Sequence, residues 1–358
     1  MDFDFLIIGG GIAGVSLAAR LAGSGRVALL EAESSLAWHA SSRSAALFEA
    51  SYGLAPVVEL TRASEACFRA APGVLRPRGM MVVGKVGDAA AFDADCASMD
   101  LVPVNLDAAR AVVPVLNPET VAHVAMADHA WDIDTDLYLQ NLARTARAGG
   151  TDIRLKASVT AIGRMAGGWQ VTTPGAVLTS RVIVNAAGAW VDHVAAMAGV
   201  RALGFSPLRR SMARIPAPGG HDISRWPMIF GTGEAWYCKP DAGALLVSPA
   251  DQDLVVPHDA FADDMVLAEG LARYEEMVTQ PVTRMIANWA GLRTFAPDRV
   301  LVIGHDAAEP GFFWLAGQGG YGFQSSPAAS QLAADLLLTR APDLDCALVT
   351  RLSPHRFM

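Results

Sequence analysis

Three glycines near the amino terminus have the spacing of a dinucleotide-binding loop. Gly9, Gly11 and Gly14 follow the short apolar run "DFLII", and Glu31 ends the next apolar run. Such a turn lets backbone N–H groups approach a pyrophosphate at the start of a helix, while an acid at the end of the second strand can accept hydrogen bonds from ribose hydroxyls. The spacing predicts dinucleotide binding but does not distinguish a nicotinamide from a flavin.

Two further segments favour a flavin. "WHASSRSAALF" (38–48) is rich in hydroxyls around Arg43, and "WLAGQGGYGFQSSPAAS" (314–330) is a second glycine turn that precedes a helical pattern. The positive end of that helix could face the pyrimidine carbonyls of a flavin and favour its anionic reduced ring. Alone, this turn could also be an ordinary capped helix. A nicotinamide enzyme needs no second loop of this kind, so FAD is the predicted cofactor.

Two arginines lie in apolar surroundings. Arg210 is part of "PLRRSMAR" and Arg293 is part of "NWAGLRTF". A cation in such a place needs an anion, and the planar guanidinium binds a carboxylate through two parallel hydrogen bonds. The pair could therefore bind the carboxylate of an amino acid, or it could form two structural ion pairs. Arg209 is expected to be solvated or structural.

A β-α-β unit must position the first glycine loop. Residues 4–8 predict a buried strand and residues 12–22 a helix, followed by the strand "RVALLEAE". Similar strand patterns at 180–190 and 298–304 are each followed by small residues and a helical pattern. Residues 135–150 predict an amphipathic helix that stops at Gly-Gly.

Two regions of different composition interrupt these strand and helix patterns. They contain more proline, more aromatic residues and more strands with alternating polar and apolar residues. The predicted fold class is an α/β FAD-binding Rossmann-like domain of the glutathione-reductase type, with an inserted α+β substrate domain that contains a mixed or antiparallel sheet. The FAD-binding domain is predicted to be discontinuous, over 1–75, 131–198 and 290–358. The substrate-binding domain is predicted over 76–130 and 199–289.

Charge and composition disfavour several other classes. The chain has 28 basic and 36 acidic residues, a net charge of −8, and no basic cluster, so nucleic acid is not an expected partner. Its four cysteines show neither C-x-x-C spacing nor a histidine cluster, so no metal site is expected and a cytoplasmic location is predicted. No charge-free run of about 18 apolar residues occurs, so no transmembrane segment is expected.

The motifs taken together resemble a known family. The glycine loop, "SSRSAA", "VIVNAAGAW" and "GQGGYG" are similar to the D-amino acid oxidase superfamily of FAD-dependent amine oxidoreductases. Within it, "RSAALFEASYG", "RRSM", "YCKPDAGALLVSPA", "WAGLRTF" and "GFFWLAGQGGYGFQ" resemble the FAD-dependent D-arginine dehydrogenases nearly end to end. The resemblance implies non-covalent FAD, oxidation of a D-amino acid by hydride transfer from Cα to flavin N5, and hydrolysis of the imine to a 2-oxo acid and ammonia.

The resemblance also implies roles for individual residues. Arg210 and Arg293 correspond to residues that bind the substrate carboxylate, and Tyr52 and Tyr237 to residues that line the pocket. The other predicted substrate contacts, two glycine carbonyls for the amine and two apolar side chains, are Gly291, Gly320, Met80 and Leu47. The predicted cofactor contacts, with Val159 on the adenine side, are Gly9, Gly11, Ile12, Ala13, Gly14, Glu31, Ala32, His39, Ser41, Ser42, Arg43, Ser44, Ala45, Ala46, Val159, Ala187, Gly188, Trp190, Gly319, Gly320, Tyr321, Gly322, Phe323 and Gln324.

Two positions depart from the D-arginine dehydrogenases. Those enzymes have a histidine where this chain has Leu47, and a glutamate that binds the guanidinium where this chain has Met80. Without that carboxylate a distal cation would be buried without a partner, which is costly. Arginine and lysine are therefore expected to be poor substrates. Apolar or aromatic D-amino acids, or cyclic ones such as D-proline, are expected to be better ones.

Several alternatives stay open. The enzyme could oxidise glycine, sarcosine or another secondary amine, or a D-2-hydroxy acid held by the same arginines. A flavin-binding subunit without catalysis is disfavoured by the arginine pair, and an NAD-dependent dehydrogenase is disfavoured by the second glycine turn. Some related oxidases place a lysine over the flavin on the strand that corresponds to "GALLVSP", where this chain has none, and Lys239 is expected to project differently. A dehydrogenase is therefore favoured over an oxidase, and the electron acceptor could be a quinone, an electron carrier or oxygen. No histidine is expected to act in catalysis, and His129 and His305 are interpreted as ordinary loop residues.

Overall fold

Two eight-stranded sheets form the framework of the protein, in a computed structural model that describes residues 1–358. The strands in chain order are β1 Phe3–Ile8, β2 Val27–Leu30, β3 Leu47–Phe48, β4 Leu75–Pro77, β5 Met80–Gly84, β6 Val102–Pro103, β7 His123–Ala127, β8 Trp131–Ile133, β9 Asp152–Arg154, β10 Ala161–Met165, β11 Gly168–Thr173, β12 Ala176–Asn185, β13 Ser206–Pro216, β14 Met228–Gly231, β15 Tyr237–Asp241, β16 Ala244–Ser248, β17 Ala287–Phe295, β18 Val302–His305 and β19 Phe312–Ala316. The helices are α1 Ile12–Arg20, α2 Ala55–Arg69, α3 Ala89–Met99, α4 Leu106–Val112, α5 Thr135–Ala148, α6 Val191–Met197, α7 Asp264–Glu276, α8 Gly322–Leu337 and α9 Cys346–Leu352.

The first sheet has parallel strands at its centre. Its order is β10-β11-β12-β1-β2-β9, with β19 parallel to the end of β12 and β18 antiparallel to β19. In β1, Ile7 lies opposite Leu29 of β2 and Val184 of β12, and all three are fully buried. Burial on both faces is expected of parallel strands that helices cover on either side.

Helices cover both faces of this sheet. On one face α1, α2, α5 and α8 pack into a shared core that buries Leu17, Leu139 and Leu332. On the other face Val194 of α6 packs with Trp169 of β11 and with the opposite side of the strands. None of the helices combines the length and the apolarity that a membrane crossing needs.

The second sheet is mixed and has the order β17-β13-β16-β15-β14-β5-β7-β6. Its pairs are antiparallel except β14 with β5, which run parallel. The two long strands β13 and β17 pair from Ser206 opposite Phe295 to Arg214 opposite Ala287. A small sheet in the order β3-β8-β4 completes the fold. The predicted fold class, an α/β FAD-binding fold with an added mixed sheet, is confirmed.

Two details differ from the sequence expectations. The predicted domain boundary between residues 289 and 290 falls inside β17, which belongs to the second sheet along its whole length. The strand predicted at 298–304 is followed by an antiparallel strand, not by a helix, because Asp306 organises a tight turn there. Its carboxylate accepts hydrogen bonds from the backbone of Ala308 and Glu309 and from the Trp314 ring.

Candidate functional site

The carboxyl ends of β1, β2, β12 and β19 meet at one edge of the first sheet, where ligands bind in open parallel sheets. Two adjoining cavities open there. The edge cavity lies beside Gly9 and Glu31, and the inter-sheet cavity lies between this edge and the second sheet. Both are lined by Gly11, Ala40, Ser41, Arg43, Ala186, Gly188 and Leu292. This shared lining makes a continuous, extended space suited to a dinucleotide.

Close backbone packing shapes the first glycine loop. Gly9 has a φ of +113°, and a Cβ on it would lie 2.3 Å from the carbonyl oxygen of Ala186. A Cβ on Gly14 would lie 2.0 Å from the carbonyl oxygen of Gly9. Neither position therefore has room for a side chain, and helix α1 begins directly against the end of β1.

Two polar side chains hold this loop. Glu31 is buried, and its carboxylate accepts hydrogen bonds from the backbone of Gly10 at 2.7 Å and of Glu33 at 2.9 Å. Ser41 accepts the backbone N–H of Ile12, in the first turn of α1, at 3.0 Å. Each carboxylate oxygen can accept a second hydrogen bond, so Glu31 can still receive ribose hydroxyls in the edge cavity.

The hydroxyl-rich segment 38–48 contains a short 3₁₀ helix, Ala40–Arg43, and ends in strand β3. The Arg43 guanidinium donates to the carbonyls of Ala260 and Ala290, each at 2.9 Å, and to Asp259. Arg43 therefore fastens the loop around Asp259 beside both cavities and is not a free cation for a phosphate. The Ser42 hydroxyl donates to backbone carbonyls of its own segment, and Ser42 lines neither cavity.

Most of the predicted cofactor residues surround the two cavities. Those along the edge cavity are Gly9, Gly11, Glu31, Ala32, His39, Ser41, Arg43, Val159, Ala187, Gly188 and Trp190. Those along the inter-sheet cavity are Gly11, Ile12, Ala13, Ser41, Arg43, Ser44, Ala45, Ala46, Gly188, Gly319, Gly320, Gly322, Phe323 and Gln324. Gly14 and Tyr321 line neither cavity; Tyr321 packs on the Tyr52 ring, 5.5 Å between centroids, beside a neighbouring opening.

Buried polar atoms without hydrogen-bond partners line one part of the inter-sheet cavity. The buried Nε2 of Gln324 and Oγ1 of Thr294 have no hydrogen-bond partner, and both residues line the inter-sheet cavity. Helix α8 starts at Gly322 without a side-chain cap, and its first three residues line the same cavity, so its free N–H groups border this space. Buried polar atoms are costly without partners, and the carbonyl and nitrogen edge of a flavin would supply them. The residues present therefore fit FAD.

The arginine pair lies on one face of the second sheet. Because Arg293 is opposite Leu208 and Arg210 is opposite Gly291, the two arginines are diagonal neighbours that face the inter-sheet cavity together. Arg210 is 5% exposed, its Nε donates to the carbonyl of Asp251 at 2.9 Å, and it has no ion pair. Arg293 makes neither a hydrogen bond nor an ion pair within the chain.

The electrostatics of the pair favour an anion. Burial and the like charge of Arg293 lower the pKa of Arg210, and a carboxylate between the two guanidinium groups would offset both effects. Burial acts on Arg293 in the same direction, but the nearby Tyr237, Tyr52 and Glu234 outweigh it and raise the pKa of Arg293. Gly320 lies close by, since a Cβ on it would be 3.1 Å from Arg293 Nη1. Arg209 is bound differently, through ion pairs with Asp251 at 3.3 Å and Asp253 at 2.7 Å, which is the structural role expected of it.

The rest of the inter-sheet cavity is largely apolar. Met80 is fully buried, and Tyr237 is 3% exposed with its ring 5.7 Å from the guanidinium carbon of Arg210. The predicted pocket residues Leu47, Tyr52 and Gly291 also line this cavity. The sequence reasoning missed three further members of the wall: Met212, Met228 and Phe230.

These omissions have different reasons. Met212 follows Arg210 by two positions on β13, so strand alternation could have placed both on one face. Met228 and Phe230 join the wall because β14 pairs in parallel with β5, which puts Met228 opposite Met80. That pairing joins segments far apart in the chain and leaves no local signal.

Two carboxylates in the cavity were also missed. The Tyr52 hydroxyl donates to Glu234 at 2.9 Å, and burial together with Glu234 raises the pKa of Tyr52. Glu49 is 2% exposed and lies 2.7 Å from His129 Nδ1. His129 is therefore not the ordinary loop residue expected from the sequence. The cavity has no carboxylate at the position of Met80, but it does contain those of Glu49 and Glu234. In the sequence, only the isolated acid in "ALFEASYG" could have suggested Glu49.

Comparison with known proteins agrees with this geometry. The family described as DAO, FAD dependent oxidoreductase, matches residues 4–336. A curated relative, the hydrogen cyanide synthase subunit HcnC of Pseudomonas aeruginosa, is 25% identical over 230 residues, which cover 62% of this chain. The match covers 52% of HcnC, so the chain spans about half the length of that relative.

Solved structures share the fold across nearly the whole chain. Glycine oxidase from Geobacillus kaustophilus superposes with a TM-score of 0.83 and 21% identity, covering 98% of each chain. L-proline dehydrogenase from P. horikoshii superposes with a TM-score of 0.84 and 18% identity, covering 99% of this chain and 97% of the other. At these identities the likeness concerns the fold.

Proposed function

The chain belongs to the DAO family of FAD-dependent oxidoreductases, and from that premise we propose that it oxidises D-amino acids to 2-oxo acids and ammonia. FAD, bound without a covalent link, would supply the two-electron chemistry that removes hydride from the substrate Cα. The preference for D over L substrates rests on the resemblance to the D-arginine dehydrogenases. A cytoplasmic location stays a prediction from the cysteine content.

The observation that carries the proposal is the arginine pair without an anion. Arg293 makes no hydrogen bond or ion pair, although Glu234 lies near enough to favour its charge, and Arg210 is buried with no ion pair. Two guanidinium groups on one face of a sheet suit a carboxylate, which would be fixed by bidentate hydrogen bonds. Backbone carbonyls of Gly291 and Gly320 are proposed to receive the amine. Positioning of this kind supplies much of the rate enhancement in such a reaction.

The wall of the cavity supports a preference for apolar side chains. Met80, Met212, Met228 and Phe230 present flexible or flat apolar surface and no charge. The Glu234 carboxylate accepts a hydrogen bond from Tyr52, so it is already engaged in the absence of substrate. We therefore propose that apolar, aromatic or D-proline-like substrates are preferred over D-arginine.

We propose a dehydrogenase whose acceptor is not oxygen. The three lysines are Lys85, Lys156 and Lys239, and none of them lines the inter-sheet cavity. Lys239, on β15, is 7% exposed and donates to Asp132 at 2.9 Å. No ammonium group therefore adjoins the predicted flavin site to assist a reaction with oxygen.

The test is an anaerobic visible spectrum of the purified, yellow protein with a panel of candidate substrates. Bleaching by D-leucine, D-phenylalanine or D-proline, with much slower bleaching by D-arginine, is the expected result. Fastest bleaching by glycine, sarcosine, an L-amino acid or D-lactate would replace the proposal by the corresponding reaction. A flavin that no compound reduces would refute it. Reoxidation by an artificial electron-accepting dye but only slowly by air would support the dehydrogenase.

A further inference from the structure

We infer that Glu49 accepts a proton from the substrate amine and that His129 passes this proton to solvent. The inference rests on the proposed function, because it concerns an amine substrate in the inter-sheet cavity. Glu49 lines the same cavity as Arg210 and Arg293 but has almost no exposure of its own. His129 is 36% exposed at its side chain, so the pair joins the cavity to the surface.

The contacts of Glu49 leave it able to accept a proton. Its Oε1 accepts the backbone N–H of Ser51 at 2.8 Å, and its Oε2 lies 2.7 Å from His129 Nδ1. Its backbone N–H donates to Gln324 Oε1 at 3.2 Å, which ties Glu49 to the start of helix α8. Each carboxylate oxygen keeps a second acceptor position. Glu49 is therefore held in place by several elements and is not a mobile surface acid.

The charges around the pair are consistent with proton transfer. Burial raises the pKa of Glu49, against the opposing effects of the Ser51 N–H, His129 and Arg62. Burial alone would lower the pKa of His129, but Glu49 and Asp100 outweigh it and the pKa is raised. His129 Nε2 lies 3.5 Å from the carbonyl of Asp100, at the outer end of the route.

The proposed transfer balances. An amino acid binds as an ammonium, and the lone pair needed for oxidation appears only when one N–H bond breaks. That proton forms an O–H bond on the ionised Glu49. A neutral His129, protonated on Nε2, takes the Glu49 proton at Nδ1, and the resulting imidazolium releases its Nε2 proton to water. One proton leaves the amine and one enters the solvent. The amine stays in the cavity, neutral and ready to be oxidised.

The test compares the pH dependence of anaerobic flavin reduction in the holoenzyme and its Glu49→Gln and His129→Gln variants. At neutral pH, Glu49→Gln should lower the reduction rate by about a hundredfold or more, and His129→Gln by a smaller factor. Both rates should approach the wild-type rate above the pKa of the free amine, where the substrate arrives neutral. Matched controls are Glu59→Gln, in a surface ion pair with Arg351, and His305→Gln, whose ring bonds the Pro310 carbonyl. Neither control should change the profile.

A second readout does not depend on turnover. NMR titration of histidine-labelled protein should show a lower His129 pKa in Glu49→Gln and unchanged values for the other histidines. An unchanged pH profile, a loss of rate that is equal at every pH, or an unchanged His129 pKa would each overturn the inference. If Glu49→Gln does not fold with FAD, the pH dependence of flavin reduction in His129→Gln, a substitution at a half-exposed side chain, tests the inference instead. If no amino acid reduces the flavin of the wild-type protein, the proposed function is refuted, and the proposed proton transfer through Glu49 and His129 is refuted together with it.

Discussion

Replacing Arg293 by methionine should weaken carboxylate binding without weakening the fold. Arg293 makes no hydrogen bond within the chain, so all five of its N–H donors are uncommitted. A bidentate pair with a carboxylate contains two hydrogen bonds to charged groups, each worth about 1.5–3 kcal/mol. Arg293→Met should therefore cost about 3–5 kcal/mol of binding free energy, or roughly two to four powers of ten in affinity.

The effect on stability should be small or absent. Burial disfavours the Arg293 cation, but the nearby Tyr237, Tyr52 and Glu234 favour it and raise its pKa, so Arg293→Met should change the free energy of unfolding by less than about 1 kcal/mol. Arg209→Met is the matched control, because Arg209 has the same charge on the adjoining strand β13 but is paired with Asp251 and Asp253. It should lower the free energy of unfolding by about 2–4 kcal/mol and leave carboxylate affinity nearly unchanged.

Affinity is measured by titrating the holoenzyme with benzoate, an unreactive carboxylate, and following the visible spectrum of the flavin. Stability is measured by thermal unfolding at a saturating FAD concentration. Unchanged benzoate affinity in Arg293→Met would refute the carboxylate assignment. A large loss of stability in Arg293→Met, matching that of Arg209→Met, would show that the cation has a structural partner after all.

Three further predictions concern other parts of the protein. Gly14→Ala should lose FAD and about 3 kcal/mol of stability, because its Cβ would lie 2.0 Å from the Gly9 carbonyl oxygen. Absorbance at the flavin band per protein chain measures this, and Gly163→Ala, where no atom lies within 4 Å, should be silent. Met80→Glu should raise the rate of flavin reduction by D-arginine relative to D-leucine by roughly tenfold or more, at the cost of thermal stability; an unchanged ratio would contradict the specificity proposal. Because Glu49 and Asp100 raise the pKa of His129 above 6.5, the stabilisation from its charge is fully present below pH 6.5 and is lost as the pH rises through the raised pKa. The urea concentration at the unfolding midpoint should therefore fall with rising pH in the wild type and fall less in His129→Gln. The same pH dependence in both proteins would contradict this prediction.

Local patterns were sufficient for the first sheet. Residues 4–8 and "RVALLEAE" are short apolar runs bounded by glycine or acid, and they form β1 and β2 as predicted. The amphipathic segment 135–150 forms α5, which ends at Ala148 before the glycines. Each of these elements is specified by residues close together in the chain, so its type is visible without knowledge of the fold.

The second sheet and the substrate wall were harder to predict because their pairings are non-local. β5 pairs with β14, and β13 with β17, across long stretches of chain. The ion pair of Glu49 with His129 depends on the same long-range arrangement. The arginines were found because a cation in apolar surroundings is unusual in itself. Methionines and a single glutamate are not unusual, and only the fold shows what they face.

Strand β17 has a consequence for how this protein can diversify. It carries Arg293, and its Gly291 lies against the Ala40–Arg43 helix beside the cofactor space. The apolar wall that we propose to contact the substrate side chain comes from Met80 on β5, Met212 on β13, and Met228 and Phe230 on β14. If the proposed function holds, substitutions at Met80 or Phe230 should change which amine is accepted while the arginine pair proposed to bind the carboxylate stays intact. An engineer or natural selection could exchange substrates at the wall without rebuilding the chemistry.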